Sequence, residues 1–120
     1  MKLNTLLSIT AVVAFLFGLG FILAPAWSLS TYGVSTDVTG IFMSRYFGAA
    51  LIGYAFIAWL TRNTASKGLQ AGFFVAMVLG FAVALYDAFA GVSNGLVWLN
   101  VVIYFLLAVG FGYFVFMKSD

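Results

Sequence analysis

Residues 43–63 read MSRYFGAALIGYAFIAWLTRN, with an arginine near the start of an apolar run that ends at Leu60. The run has the length and composition of a segment that lives in lipid. A guanidinium cannot shed its charge to suit that setting. Whatever accommodates Arg45 therefore constrains the fold around it.

The rest of the chain shares the character of this stretch. Of its 120 residues, 65% are hydrophobic, 19% aromatic and only 7% charged. The mean hydropathy is +1.17. Soluble domains carry about 25% charged residues. A chain this short, folded in water, would lack the polar side chains to cover its surface. It reads as one integral membrane domain over residues 1–120.

The net charge of +2 is small and dispersed, which gives no footprint for nucleic acid. There is no Cys, hence no disulfide, thiol nucleophile or iron–sulfur ligand. There is no His, the commonest haem, zinc and proton-transfer side chain. The three acids are Asp37, Asp87 and Asp120, too few and too scattered for a carboxylate metal cage. No catalytic motif and no metal ligand set is evident, so the reading leans away from an enzyme.

A membrane span needs about 20 mainly apolar residues. Four segments qualify, at about 5–24, 41–60, 69–90 and 96–116. Each is long and lacks strand-like alternation, so the expectation is helix. An open sheet would leave unpaired edges in lipid. The fold class is all-α, an antiparallel four-transmembrane-helix bundle. Residues 25–40 form the longest link, where Trp27 and Tyr32 suit an interface. The links at 61–68 and 91–95 are short, which makes the last three helices neighbours.

Lys2, the first apolar run and Ala24-Pro25-Ala26 also imitate a secretory signal. Signal cores usually span about 7–15 residues, shorter than this run, so a retained helix is expected. Lys2, Arg62, Lys67 and Lys118 all fall on one side of a four-span topology. The positive-inside rule makes that side cytoplasmic, together with both termini. Arg45 is the exception on the other side.

At a rise of about 1.5 Å per residue, Arg45, Asp87 and Asn100 each lie roughly 4–6 Å inside the outer ends of their helices. They share one depth. Small residues fall on the same faces. Arg45, Ala49 and Gly53 are spaced by four. So are Gly72, Ala76, Gly80, Ala84 and Ala88, with Asp87 at the edge of that row. Asn100, Tyr104, Ala108 and Gly112 form a third row, and Ala14 and Gly18 add the first helix. Small rows allow close helix approach in lipid. The expectation is that these faces meet and enclose a polar cluster of Arg45, Asp87, Asn100 and Tyr104. A charge at mid-membrane costs about 2.5–3.5 kcal/mol on insertion scales, and an Arg45–Asp87 pair would offset part of that. The alternative for Arg45 is snorkelling to outer headgroups.

Several features together resemble a family. Gly18 lies seven residues before Pro25, Arg45-Tyr46-Phe47-Gly48-Ala49-Ala50 opens the second span, and Trp59 precedes Arg62 by three. This pattern is similar to the DoxX-like group of small four-helix bacterial membrane proteins, most of them uncharacterised. The resemblance covers about the first half of the chain. It implies a four-helix bundle in the bacterial inner membrane and a role beside a larger partner. Some members of that group are accessory subunits in quinone-coupled sulfur oxidation. No catalytic residue carries over.

Three functional readings remain. The leading one is an accessory or scaffolding subunit that binds another membrane protein or a second copy of itself. The second is an oligomeric small transporter or channel, using Asp87 for a cation or Arg45 for an anion. The third is a bundle that binds a lipid or quinone with its head at the Arg45, Asp87, Asn100 and Tyr104 cluster. No cofactor is evident beyond that lipid or quinone.

Overall fold

The structure is a computed structural model that describes residues 2–35, 37–64, 66–91 and 94–117. Lys118 and Asp120, used above for topology and charge, lie outside the described residues, as do Val92 and Ser93 of the 91–95 link.

The protein is all-helical. α1 spans Leu3–Leu23, α2 Pro25–Thr31, α3 Val38–Leu60, α4 Lys67–Ala90 and α5 Val97–Gly112, which continues as a π-helical turn over Tyr113–Met117. Four segments are long and apolar enough to cross a membrane: α1, α3, α4 and Val97–Met117. At about 1.5 Å per residue each matches the ~30 Å hydrocarbon core.

The helix ends follow local chemistry. The Asp37 carboxylate accepts from Gly40 N at 3.0 Å and opens α3. The Ser66 hydroxyl accepts from Leu69 N at 3.1 Å and opens α4. Gly91 closes α4 with φ 73°, a left-handed conformation that glycine adopts without penalty. Pro25 corrects one expectation. It ends α1, but it also occupies the first turn of α2, so part of the 25–40 link is a short helix. A proline lacks only an N–H that a helix start leaves unpaired anyway.

The spans associate as two tight pairs. α1 lies along α3, and α4 lies along α5. Among the described residues α3 and α4 make no comparable approach, although they follow each other in sequence. The α1–α3 seam is built from Ala11, Ala14 and Gly18 against Ser44, Gly48, Ala55 and Ala58, all buried. At its tightest point backbone touches backbone. A Cβ on Gly48 would stand 2.8 Å from the Gly18 carbonyl oxygen, and one on Gly18 would stand 2.9 Å from that of Gly48.

The α4–α5 seam works differently, by rings seated on glycines. A Cβ on Gly80 would overlap the Tyr104 ring. One on Gly112 would lie 3.0 Å from Phe74. Phe73 and Phe111 stack with centroids 5.2 Å apart. Between the two pairs, Leu6, Leu7, Met77, Phe73, Phe111 and Phe114 fill the common core. Dispersion among such rings holds the pairs together where apolar burial gives little drive.

The residues of the small-residue rows fall in different places. Ala14, Gly18 and Ala84 are buried, Gly80 and Gly112 seat rings, and Ala76 and Ala108 are half-buried. Ala49, Gly53 and Gly72 are exposed instead, and a Cβ on Gly53 or Gly72 would meet nothing within 4 Å. The α3 seam is displaced by one residue, to Ser44 and Gly48. One residue is about 100° of helix rotation, enough to turn the Arg45–Ala49–Gly53 row out of the seam.

Polar contacts tie the pairs at one end. The Tyr32 hydroxyl, after α2, donates to Asn100 Oδ1 on α5 at 2.6 Å. Asn94 N donates to the Tyr32 carbonyl at 2.7 Å, and Asn94 Nδ2 to the Thr31 carbonyl at 3.0 Å. At the other end Lys67 Nζ donates to the Phe114 carbonyl at 2.5 Å, and Asn4 Nδ2 to Asn63 Oδ1 at 3.2 Å. The Arg62 guanidinium covers the Trp59 ring at 3.9 Å.

Two predictions follow from the seam and the clasp. Gly48→Val forces a side chain onto a backbone oxygen that cannot move aside. It should lower stability in detergent by about 1–3 kcal/mol, the usual cost of overpacking. Gly53→Ala, in open space, should change it by no more than about 1 kcal/mol. Thermal unfolding followed by circular dichroism checks both.

Tyr32→Phe removes the hydrogen bond to Asn100 and should cost about 1 kcal/mol. Partial burial raises the Tyr32 phenol above its ordinary 10.0, against a smaller lowering by the Asn100 bond. The unfolded phenol then ionises first as pH rises through 10.0, so the native state loses stability there. Below that pH both states keep the proton and the contribution is intact. The Tyr32→Phe protein should lack this part of the alkaline fall, read as a difference in Tm against pH between the two proteins.

Candidate functional site

The missing approach between α3 and α4 leaves a cleft near the α2 end of the molecule. Its volume is about 370 Å³. α3 contributes Phe47; α4 contributes Leu79, Gly80, Val83, Ala84 and Asp87; α5 contributes Val97, Asn100 and Tyr104. The spacing on α4 explains the wall, because residues 80, 83, 84 and 87 recur at three and four and share a face. Gly80 and Tyr104 make one device. The missing side chain at 80 leaves room for the ring at 104, which packs over it and lines the cleft.

Phe47, Asn100 and Tyr104 also line a second cavity of about 90 Å³ in the centre of the bundle. The Thr10 side chain borders that cavity and is fully buried. Its hydroxyl donates to the Leu6 carbonyl at 2.9 Å, so it is satisfied within its own helix. A separate groove of about 230 Å³, between α1 and α3, is lined by apolar side chains such as Phe15, Phe56 and Trp59. It has no polar group to orient a ligand.

The structure brings together three of the four residues expected in a polar cluster. Asp87, Asn100 and Tyr104 are half-buried and line the same cleft. Arg45 does not join them. It is exposed, and among the described residues it has no hydrogen bond or ion pair. Phe47 faces the cleft, and Arg45 lies two positions earlier, about 200° around the α3 axis. The expected Arg45–Asp87 pair is thus not formed, because α3 is turned by one residue relative to the anticipated seam. The α3 helix also begins three residues earlier than expected, so Arg45 sits about 10 Å along it. The long aliphatic stem allows the charge to reach toward the helix start.

The Asp87 carboxylate is left without hydrogen bond or ion pair among the described residues. It is the one formally charged side chain of the cleft. Asn100 offers its amide N–H₂ while its oxygen is occupied by Tyr32. Tyr104 offers a hydroxyl that makes no hydrogen bond among the described residues. The arrangement can therefore hold a polar head with mixed hydrogen-bonding groups above an apolar wall. No three His, Cys, Asp or Glu side chains come together among the described residues.

Sequence reasoning missed Phe47 and Tyr32 as parts of the site. The sequence places Tyr32 only as an interfacial residue and gives Phe47 no role in a site. An aromatic hydroxyl in a link carries no periodic signal that would place it against a distant helix.

A family model described as a domain of unknown function, DUF8292, matches residues 8–118. No curated protein and no solved structure matches the chain. Nothing in these comparisons connects it to the DoxX-like group. The match covers most of the first span, all of the other three and every residue of the cleft, so the chain belongs to the DUF8292 family.

Proposed function

We propose that this protein is a multi-pass membrane protein that binds an amphiphilic small molecule in the cleft between its two helix pairs. The carrying observation is the gap between α3 and α4, which has an apolar wall and a polar end at Asp87 and Asn100. Small-molecule sites commonly measure about 300–1,000 Å³ and combine apolar lining with a few polar groups. The cleft fits that description. The head of the ligand sits at the polar end and its tail lies along Leu79 and Val83.

In this reading the spans form an antiparallel bundle in a bacterial inner membrane. Arg62 and Lys67 mark the cytoplasmic side, with both termini, and the cleft faces the outer leaflet. An intramembrane acid away from any counter-charge is costly, and such residues mark function more often than packing.

A second reading is favoured by one observation. Arg45, Ala49 and Gly53 form an exposed small-residue row on α3 that no part of this chain covers among the described residues. An accessory subunit would use such a row against a partner helix carrying an acid level with Arg45. Co-purification with one protein at fixed stoichiometry, lost in Gly53→Leu, supports that role. Recovery of the chain alone contradicts it.

The ligand reading is tested by mass spectrometry of lipids retained after purification in a mild neutral detergent. One amphiphile enriched near one per protein is expected, and Val83→Trp, which fills the cleft, should remove it. Retention of bulk membrane lipids in their membrane proportions, unchanged by Val83→Trp, would contradict the proposal.

A further inference from the structure

We infer that the ligand of the cleft is a single-chain amphiphile with an ammonium head that seats against Asp87. The inference rests on the amphiphile-binding reading above and adds the chemical class. Its basis is the charge imbalance of the site. Asp87 is the one formal charge lining the cleft, and no cation of the described protein pairs with it. The guanidinium that stood level with it in the sequence lies around the far side of α3. A carboxylate in apolar surroundings is costly unless a cation or several donors meet it.

The neighbouring groups select among candidates. Phe47 lines the same cleft, and an aromatic side chain offers a face of the kind that attracts a cation. A phosphate head would bring a second negative charge against Asp87. A quinone would present carbonyl acceptors to a group that only accepts when ionised. An alkylammonium supplies the missing positive charge and N–H donors together. The volume of about 370 Å³ suits one acyl-sized tail beside a small head, and the tail has Leu79 and Val83 to lie against. Because the opening lies between two membrane-spanning helices, such a molecule enters sideways from the lipid.

The test compares three probes that share one tail: dodecylammonium, dodecanol and dodecanoate. Each is titrated into the full chain in neutral maltoside micelles, with equilibrium binding as the readout. Wild-type protein should hold dodecylammonium about tenfold or more tighter than dodecanol, and dodecanoate most weakly. Asp87→Asn should bring dodecylammonium to the level that the same variant shows for dodecanol, with circular dichroism and thermal unfolding of the variant reporting an intact fold. Asp87→Glu should keep the preference. Equal wild-type affinity for dodecylammonium and dodecanol would overturn the inference and leave the amphiphile reading standing. So would an ammonium preference that survives Asp87→Asn. Saturable binding of none of the three would overturn the amphiphile reading itself. The wild-type head-group comparison needs no variant to fold.

Discussion

Backbone contact between Gly18 and Gly48 sets the geometry of this protein. With carbonyl oxygens within 2.9 Å of where each missing Cβ would stand, no side chain fits between α1 and α3 at this point. In lipid, such contact substitutes for the hydrophobic drive that water would supply. It also fixes the rotation of α3. With Gly48 pinned against α1, Phe47 packs edge-on to Phe21 of α1 and borders the cleft, and Arg45 faces away from it. The position of the cleft, the isolation of Asp87 and the exposure of Arg45 all descend from that one contact.

The two pairs achieve closeness by opposite means, and the difference creates the site. In the α1–α3 pair small residues meet small residues. In the α4–α5 pair rings settle over glycines, as Tyr104 does over Gly80 and Phe74 over Gly112. Large side chains then keep the pairs apart, with Phe73, Phe111 and Phe114 filling the half opposite α2. Toward α2 the filling is incomplete, and a cleft remains between Phe47 and Asp87. The Tyr32–Asn100 bond spans the pairs at this end and limits how far they separate.

Much of the architecture was legible in the sequence, because four long apolar runs leave few alternatives. The caps at Asp37 and Ser66 move two helix starts from 41 to 38 and from 69 to 67, and the left-handed Gly91 ends α4 at the expected residue 90. The register of α3 was not legible. Its true seam reads Ser44, Gly48, Ile52, and the bulky Ile52 interrupts the small-residue pattern. The neighbouring row, Arg45, Ala49, Gly53, is unbroken but exposed. Pattern alone favours the wrong face, because what selects Gly48 is the shape of α1 beside it. Asp87 and Asn100 stand out in the sequence because polar side chains are rare in apolar spans, and both line the cleft. Tyr32 does not stand out, because its partner lies 68 residues away.

The central claim is that the gap beside Asp87, rather than the apolar surface in general, receives a ligand. A single-chain amphiphile carrying a photoactivatable diazirine in its tail tests this directly when the labelled residues are mapped by peptide mass spectrometry. The account predicts labelling concentrated on Phe47, Leu79 and Val83 and suppressed by excess unlabelled amphiphile. Labelling spread evenly over Phe47, Val83, Phe56 and Trp59, and indifferent to competitor, would contradict it.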